Sequence, residues 1–188
     1  MDHYLDIGLR PDPEFSPAQL MNALFGKLHR ALAGLPSPAI GISFPDVQPA
    51  RPALGDRMRL HGSAAGLHQL LAQPWLTGLS SHVQLGDVTG VPDEVQYRNV
   101  CRIQVKSSAE RLRRRLMRRH SLTADEAQQR IPDSVESCLT LPFISLRSQS
   151  TEQAFRLFIH HGPLQKKPRN GTFNAYGLGH GATIPWFE

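Results

Sequence analysis

An α+β fold is predicted by three observations. Apolar residues recur in alternating strand and helix periods in the order βαββαβ over the first half. Capping signatures mark several helix starts. A change of character at Val91-Pro92-Asp93 precedes a second half that holds six of the 21 basic residues between Arg111 and Arg119. The βαββαβ order is that of a ferredoxin-like (RRM-like) N-terminal domain, residues 1–94, with two helices on one face of an antiparallel sheet. Residues 95–188 then form a divergent α/β C-terminal domain that carries an arginine-rich helix.

Residues 4–10 alternate, with Leu5, Ile7 and Leu9 opposite Tyr4, Asp6 and Arg10, as a half-buried strand requires. The helix that follows starts at Ser16, the N-cap of an S-x-x-Q box closed by Gln19, with Pro17 in the first helical position. Leu20, Leu24, Leu28 and Ala31, widened by Phe25 and Leu32, form its apolar stripe. After the break at 34–38, Ala39–Phe44 and Arg57–His61 read as strands, Ser63–Gln73 as a short helix and His82–Leu85 as a fourth strand. In the second half, Val100–Lys106 alternates, with Cys101, Ile103 and Val105 opposite Arg102, Gln104 and Lys106. Ser107 with Glu110, and Thr123 with Glu126, are capping boxes for two further helices. Phe143–Leu146, Ala154–His160 and Thr183–Phe187 complete the strands.

At 188 residues, 40% hydrophobic and 20% charged, the chain has enough apolar mass for one or two compact units. The net charge of +5 favours a polyanionic partner. Two separated cysteines, Cys101 and Cys138, exclude a zinc ribbon, a redox pair and a disulfide scaffold, and fit a reduced cytoplasm. With no leader-like segment and no run of apolar residues long enough to span a bilayer, a soluble, untargeted, cytoplasmic protein without membrane contact is expected.

Projected at about 100° per residue, Arg111, Arg114, Arg115, Arg118 and Arg119 share one sector, with Leu112 and Leu116 beside it. A solvated face would mix signs, yet within this run no acid follows Glu110. The i,i+4 pairs Arg111/Arg115, Arg114/Arg118 and Arg115/Arg119 repel unless an anion neutralises them. A nucleic acid or other polyphosphate is the expected partner. Arg102 and Gln104 precede this helix, and their side chains can pair with the edges of G and A.

The nine His form no metal-ligand pattern, and no metal or other cofactor is expected. Gly177-x-Gly179-x-Gly181 lacks the Lys-Ser/Thr of a phosphate-binding loop and reads as a close approach of backbone to RNA or as a mobile turn. His29 falls about 110° from the centre of its helix's apolar stripe, at the border of the core, where an imidazole can reach a cleft and take a proton from a ribose 2′-OH. A partly buried structural histidine is the plainer alternative.

The runs Leu146-Arg147-Ser148-Gln149-Ser150-Thr151, Phe155-Arg156-Leu157-Phe158-Ile159 and Pro185-Trp186-Phe187, together with Met1-Asp2-His3-Tyr4-Leu5-Asp6-Ile7 and the stretch from Glu110 to His120, resemble end to end the CRISPR-repeat-processing endoribonuclease family of subtype I-F systems. The resemblance implies that the arginine helix, with Arg111, Arg114, Arg115, Arg118, Arg119 and His120, docks in the major groove of the CRISPR repeat hairpin. It also implies that Arg102 and Gln104 read pairs low in the stem, that Phe155 stacks on the terminal pair, and that Ser150 and Thr151 contact backbone near the cut. His29 then resembles the general base, Ser148 the group that holds the attacking 2′-OH, and Tyr176 an orienter of the site. The implied reaction is metal-independent cleavage at the 3′ base of the hairpin, leaving a 2′,3′-cyclic phosphate. The general acid is unassigned.

The same resemblance implies retention of the product guide RNA, a monomer on its own, and partnership with other CRISPR-associated proteins of the I-F surveillance complex. Glu152 and the basic loop 166–170 depart from the family pattern. A non-catalytic RNA-binding module and a duplex-DNA binder are the rival readings. Activity separates the first, and a deoxyribose at the cut separates the second.

Overall fold

The structure, a computed structural model, describes residues 1–35, 39–48, 52–104, 109–132, 141–148 and 152–188, with the side chains of 109–111 left aside. It forms two compact units, Met1–Arg102 with Leu141–Glu188, and Ile103–Thr140. These units are drawn differently from the 1–94 and 95–188 division, because strands on both sides of residue 94 share one core. Val100, Ile144, Leu157, Ile159 and Ile184 belong to the same buried cluster as Leu24, Phe25, Leu28 and Leu60.

In the larger unit, β1 (His3–Leu9), β2 (Gly41–Ser43), β3 (Arg57–Gly62) and β4 (Val83–Leu85) form a sheet in the order β2-β3-β1-β4, and β5 (Thr89–Gly90) also pairs with β1. The β1–β3 register sets Leu5 against Leu60 and Ile7 against Met58, all fully buried. Helix α1 (Pro17–Ala33) begins with the expected box: Ser16 Oγ accepts from the Gln19 N–H, and Gln19 Oε1 accepts from the Ser16 N–H at 2.9 Å. Its stripe of Leu20, Leu24, Phe25, Leu28 and Leu32 is buried, at about 1.5–3 kcal/mol for each large side chain. Helix α2 (Ala64–Leu71) is capped by Ser63 and buries Leu67 and Leu70.

Of the strand residues of alternate phase, Arg59 and Asp6 are paired with each other within the chain. Arg59, 3% exposed, makes a two-pronged bond to Asp6 at 2.7 and 2.8 Å and donates to the Phe187 carbonyl at 2.8 Å. Its guanidinium also lies over the rings of Tyr4 and Phe187. Such a buried charge is stable because each of its three nitrogens donates to an acceptor and its plane lies against two π-faces.

A second sheet runs β11 (Ile184–Trp186), β6 (Gln96–Ile103), β8 (Ala154–Gln165), β7 (Phe143–Arg147). Strand β6 starts earlier than expected, and its buried residue is Val100 rather than Cys101 or Ile103, which are half-covered. The expected strand's end, Val105 and Lys106, lies outside the described residues. Strand β8 extends past His160 to Gln165. The short pair β9 (Thr172–Phe173) and β10 (Gly179–His180) closes a hairpin.

Two histidines are held neutral by this packing. Burial pushes His61 down to about 3, with Arg59 adding to it; its Nε2 meets Ser43 Oγ at 2.8 Å and its Nδ1 has no partner among the described residues. Burial likewise pushes His161 down to about 3, between the ring edges of Phe44 and Trp186. Both folded values lie below the unfolded value near 6.5, so below that pH the unfolded chain binds protons that the folded chain refuses. Stability is therefore complete above about pH 6.5 and is lost as pH falls toward 3, at about 1.4 kcal/mol per pH unit for each ring. Urea unfolding at pH 7.5 and pH 5.0 is expected to differ by about 4 kcal/mol, and His161→Phe should remove about half of that difference. A pH-independent stability across this window is the adverse result.

The smaller unit holds α3 (Ala109–His120) and α4 (Ala124–Arg130). Thr123 and Glu126 form the expected box, and Ala127 is fully buried. Ser107, the other expected cap, lies outside the described residues.

Candidate active site and nucleic-acid interface

On α1 the apolar stripe leaves one flank half-covered, and His29 falls there, as its angle to the stripe requires. That flank opens on a cleft of about 660 Å³, within the larger unit, which brings together His29, Ser148, Tyr176 and Phe155. Four side chains expected to serve one reaction, from α1, the end of β7, the start of β8 and the turn after β9, thus line one cavity.

The imidazole of His29 is fixed on two sides. Its Nδ1 lies 2.8 Å from the Ala175 carbonyl oxygen. A carbonyl only accepts, so Nδ1 carries the proton, and the neutral ring keeps its lone pair on Nε2. Its face stacks on Tyr176, ring centroids 4.0 Å apart and 17° from parallel, and Tyr176 in turn stacks over Phe25.

The turn that supplies both partners is built by Asn174. Its side-chain oxygen accepts from the Tyr176 N–H at 2.9 Å and the Leu178 N–H at 3.2 Å, and its carbonyl accepts from the Gly177 N–H. Gly177 has φ +70, and a Cβ there would stand 2.4 Å from Ile42 Cγ1. A Cβ on Gly179 would stand 2.7 Å from the Ala182 carbonyl. At these two positions the glycine run serves close packing inside the protein, in place of the expected approach to RNA.

Ser148 is placed by the β7–β8 hairpin, where its N–H donates to the Gln153 carbonyl. Arg147 Nε donates to the Glu152 carbonyl at 2.8 Å. Glu152 has φ +54, a left-handed backbone that costs a residue with a Cβ about 1–2 kcal/mol. Asn22, on α1, accepts from the Ser145 N–H at 2.9 Å and so ties the His29 helix to the Ser148 strand. Ser150 and Thr151 lie outside the described residues.

Asn22, Lys27, Arg30 and Arg147 also line the cleft and were missed. Asn22, His29 and Arg30 recur at helical spacing beside Gly26, a signal that a polar-stripe reading of α1 would have found.

In the smaller unit, Leu112, Arg113, Leu116 and Met117 are half-covered, while Arg114, Arg115, Arg118, Arg119 and His120 are exposed. The expected face of α3 is thus open to solvent over a thin apolar seam. Arg113, off that face, donates through Nε to the Ile131 carbonyl at 2.7 Å. The side chain of Arg111 is not among those described. In the larger unit Arg102 is half-buried; in the smaller, Gln104 is exposed.

Among the described residues no group of three His, Cys, Asp or Glu side chains is placed to hold a metal ion, and no helix is long and apolar enough to cross a membrane. Burial raises the thiol of the free Cys101 above its ordinary value. Cys138 lies outside the described residues.

An open face of guanidiniums and a cleft with no carboxylate among its described lining residues suit a protein that handles a phosphate polyanion. The family described as "CRISPR-associated protein (Cas_Csy4)" matches residues 4–187, and the chain belongs to that family, the subtype I-F repeat-processing family that its motifs resemble. It is 59% identical, over the whole of both chains, to the CRISPR-associated endonuclease Cas6/Csy4 of Pseudomonas aeruginosa (strain UCBPP-PA14). It is 49% identical, again over the whole of both, to the protein of the same name in Escherichia coli (strain UTI89 / UPEC). A solved structure titled "An RAMP protein binding different RNA substrates" aligns over 98% of this chain and 99% of its own at 12% identity and a TM-score of 0.35, a distant likeness.

Proposed function

We propose that this protein cleaves CRISPR precursor RNA at the 3′ base of the repeat hairpin without a metal ion, and keeps the product guide RNA. The observation that carries this reading is the His29 geometry. Nδ1 is committed to the Ala175 carbonyl, so Nε2 is the basic atom, in the cleft that also holds Ser148, Tyr176 and Phe155.

In this reading Phe155 stacks on the last base pair of the stem and Ser148 holds the ribose 2′-OH beside the scissile phosphate. His29 Nε2 takes the hydroxyl proton as the oxygen attacks phosphorus in line. The bond to the 5′-oxygen breaks, leaving a 2′,3′-cyclic phosphate and, once protonated, a 5′-OH. Because the nucleophile belongs to the substrate, proximity supplies what a bound metal hydroxide would otherwise provide. Tyr176 orients the imidazole by stacking. Arg111, Arg114, Arg115, Arg118, Arg119 and His120 hold the stem, Arg102 and Gln104 read pairs low in it, and Ser150 and Thr151 contact its backbone near the cut.

The larger unit is read as ferredoxin-like, a reading supported by the strand order β2-β3-β1-β4 with two helices between its strands. The protein works in the cytoplasm as a monomer that joins the other CRISPR-associated proteins of an I-F surveillance complex. Cleavage of the host's repeat hairpin in excess EDTA, at the 3′ foot of the stem, is the expected result; cleavage abolished by EDTA would overturn the metal-free mechanism.

A further inference from the structure

The single peptide unit between Ala175 and Tyr176 is held at both ends. Its carbonyl accepts from His29 Nδ1 at 2.8 Å, and its N–H donates to the side-chain oxygen of Asn174 at 2.9 Å. In a trans peptide these two groups point in opposite directions, so the orientation of this one plane decides whether His29 meets an acceptor or a donor.

The surrounding turn fixes that plane. Asn174, Ala175, Tyr176 and Gly177 close a four-residue turn in which the Gly177 N–H donates to the Asn174 carbonyl at 2.8 Å. Asn in the first place and Gly in the fourth are favoured in a type I turn, and Ala175–Tyr176 is its central peptide. The alternative type II turn reverses this peptide and requires a positive φ at Tyr176, which Tyr176 does not have. Asn174 grips further: its side-chain oxygen also accepts from the Leu178 N–H at 3.2 Å, and its own N–H donates to the Leu178 carbonyl at 3.0 Å. Leu178 is fully buried, and the Gly177 carbonyl accepts from the Ile42 N–H of β2 at 2.9 Å. The turn is thus anchored to the core while Asn174 stays exposed and outside the described lining of the cleft.

We propose that Asn174 is a positioning residue for the reaction: through this peptide it holds the His29 proton on Nδ1 and so keeps Nε2 as the basic nitrogen. The inference rests on the reading above, in which Nε2 takes the 2′-OH proton. The chain runs from the Asn174 oxygen through the peptide N–H and carbonyl to the imidazole N–H, and hydrogen bonds arranged in series polarise one another in the same sense. The same turn carries the Tyr176 ring that stacks on His29, so one side chain sets both the tautomer and the tilt of the base.

The test uses the full-length protein and the host's repeat hairpin. Asn174→Ala is expected to slow single-turnover cleavage by about 10–10²-fold, the cost of a misplaced reacting group, with the hairpin Kd within about twofold. Asn174→Asp keeps an acceptor oxygen and the preference for this turn, and should cleave within about threefold of the unaltered protein. Long-range ¹H–¹⁵N spectra of the free protein, assigned by the signals lost in His29→Ala, read the tautomer directly. They should show the proton on Nδ1 in the unaltered protein and in Asn174→Asp, and mixed tautomers in Asn174→Ala. Because Asn174 acts through His29, the double variant His29→Ala/Asn174→Ala should be no slower than His29→Ala alone. An unchanged tautomer in Asn174→Ala, a lost rate that Asp does not restore, or a double variant slowed by both factors overturns the positioning role and leaves the His29 mechanism standing. Full activity in His29→Ala would instead defeat the underlying reading, and the positioning role with it.

Discussion

His29→Ala is expected to slow cleavage of the repeat hairpin by about 10²–10⁴-fold, the usual contribution of a positioned general base, while leaving the Kd for the hairpin within a factor of two. The separation of rate from binding follows from location. His29 lies on α1 in the cleft of the larger unit, whereas the guanidinium face belongs to α3 in the smaller one. Truncation removes Nε2, the ring nitrogen left with its lone pair, and takes the imidazole off the face of Tyr176. Single-turnover cleavage alongside equilibrium binding checks both halves. A variant that cuts at the original rate would return His29 to a structural role.

Neutralising Arg115 and Arg119 together should act in the opposite sense. Both are exposed, four residues apart, on the face of α3 that carries no acid. If each contacts phosphate, their loss is expected to weaken hairpin binding by about a hundredfold or more, and to reduce the salt dependence of log K by roughly 1 per arginine. Removing their mutual repulsion should also stabilise the free helix by about 0.2–0.5 kcal/mol. A protein that is slightly more stable yet binds less well is a combination that loss of fold cannot produce. Arg113→Ala is the control, because that guanidinium is turned to the Ile131 carbonyl, and the salt dependence should stay unchanged. Affinity and salt dependence untouched by the double change would contradict the assignment of this face to RNA.

How much of this was legible in the sequence varies with the range of the interaction. Helix α1 was readable because its signals are local: Ser16, Pro17 and Gln19 act within one turn, and the leucine stripe repeats over four. The same periodicity placed His29 at the core's border and gathered the arginines of α3 on one side. Strand phase was harder in β6, where both faces are half-covered and burial singles out Val100 instead of sorting alternate residues. The continuation of β8 past His160 was hidden because His161-Gly162-Pro163 interrupts the alternation, and the two-residue strands β5, β9 and β10 are too short to show a period.

The contacts that tune the site were not legible at all. The proton on His29 Nδ1 is set by a backbone carbonyl at Ala175, and every residue type offers the same carbonyl. The tie from Asn22 to Ser145 and the Asn174 turn depend on where the chain returns, which no local pattern encodes. Arg59 and Asp6 could be seen as opposite charges, but their enclosure by Tyr4 and Phe187 required the fold. The resemblance supplied roles for Ser148 and Tyr176 that composition left anonymous; the cleft supplies a physical setting in which those roles can be exercised.

The claim that most of this account depends on is that the ribose hydroxyl beside the scissile phosphate is the nucleophile. A repeat hairpin with one 2′-deoxyribose at that position, compared with the all-ribose hairpin by binding and by end-group analysis, tests it directly. The expected result is undiminished binding, no cleavage of the deoxy RNA, and a 2′,3′-cyclic phosphate on the all-ribose product; cleavage of the deoxy RNA at the ordinary rate would contradict it.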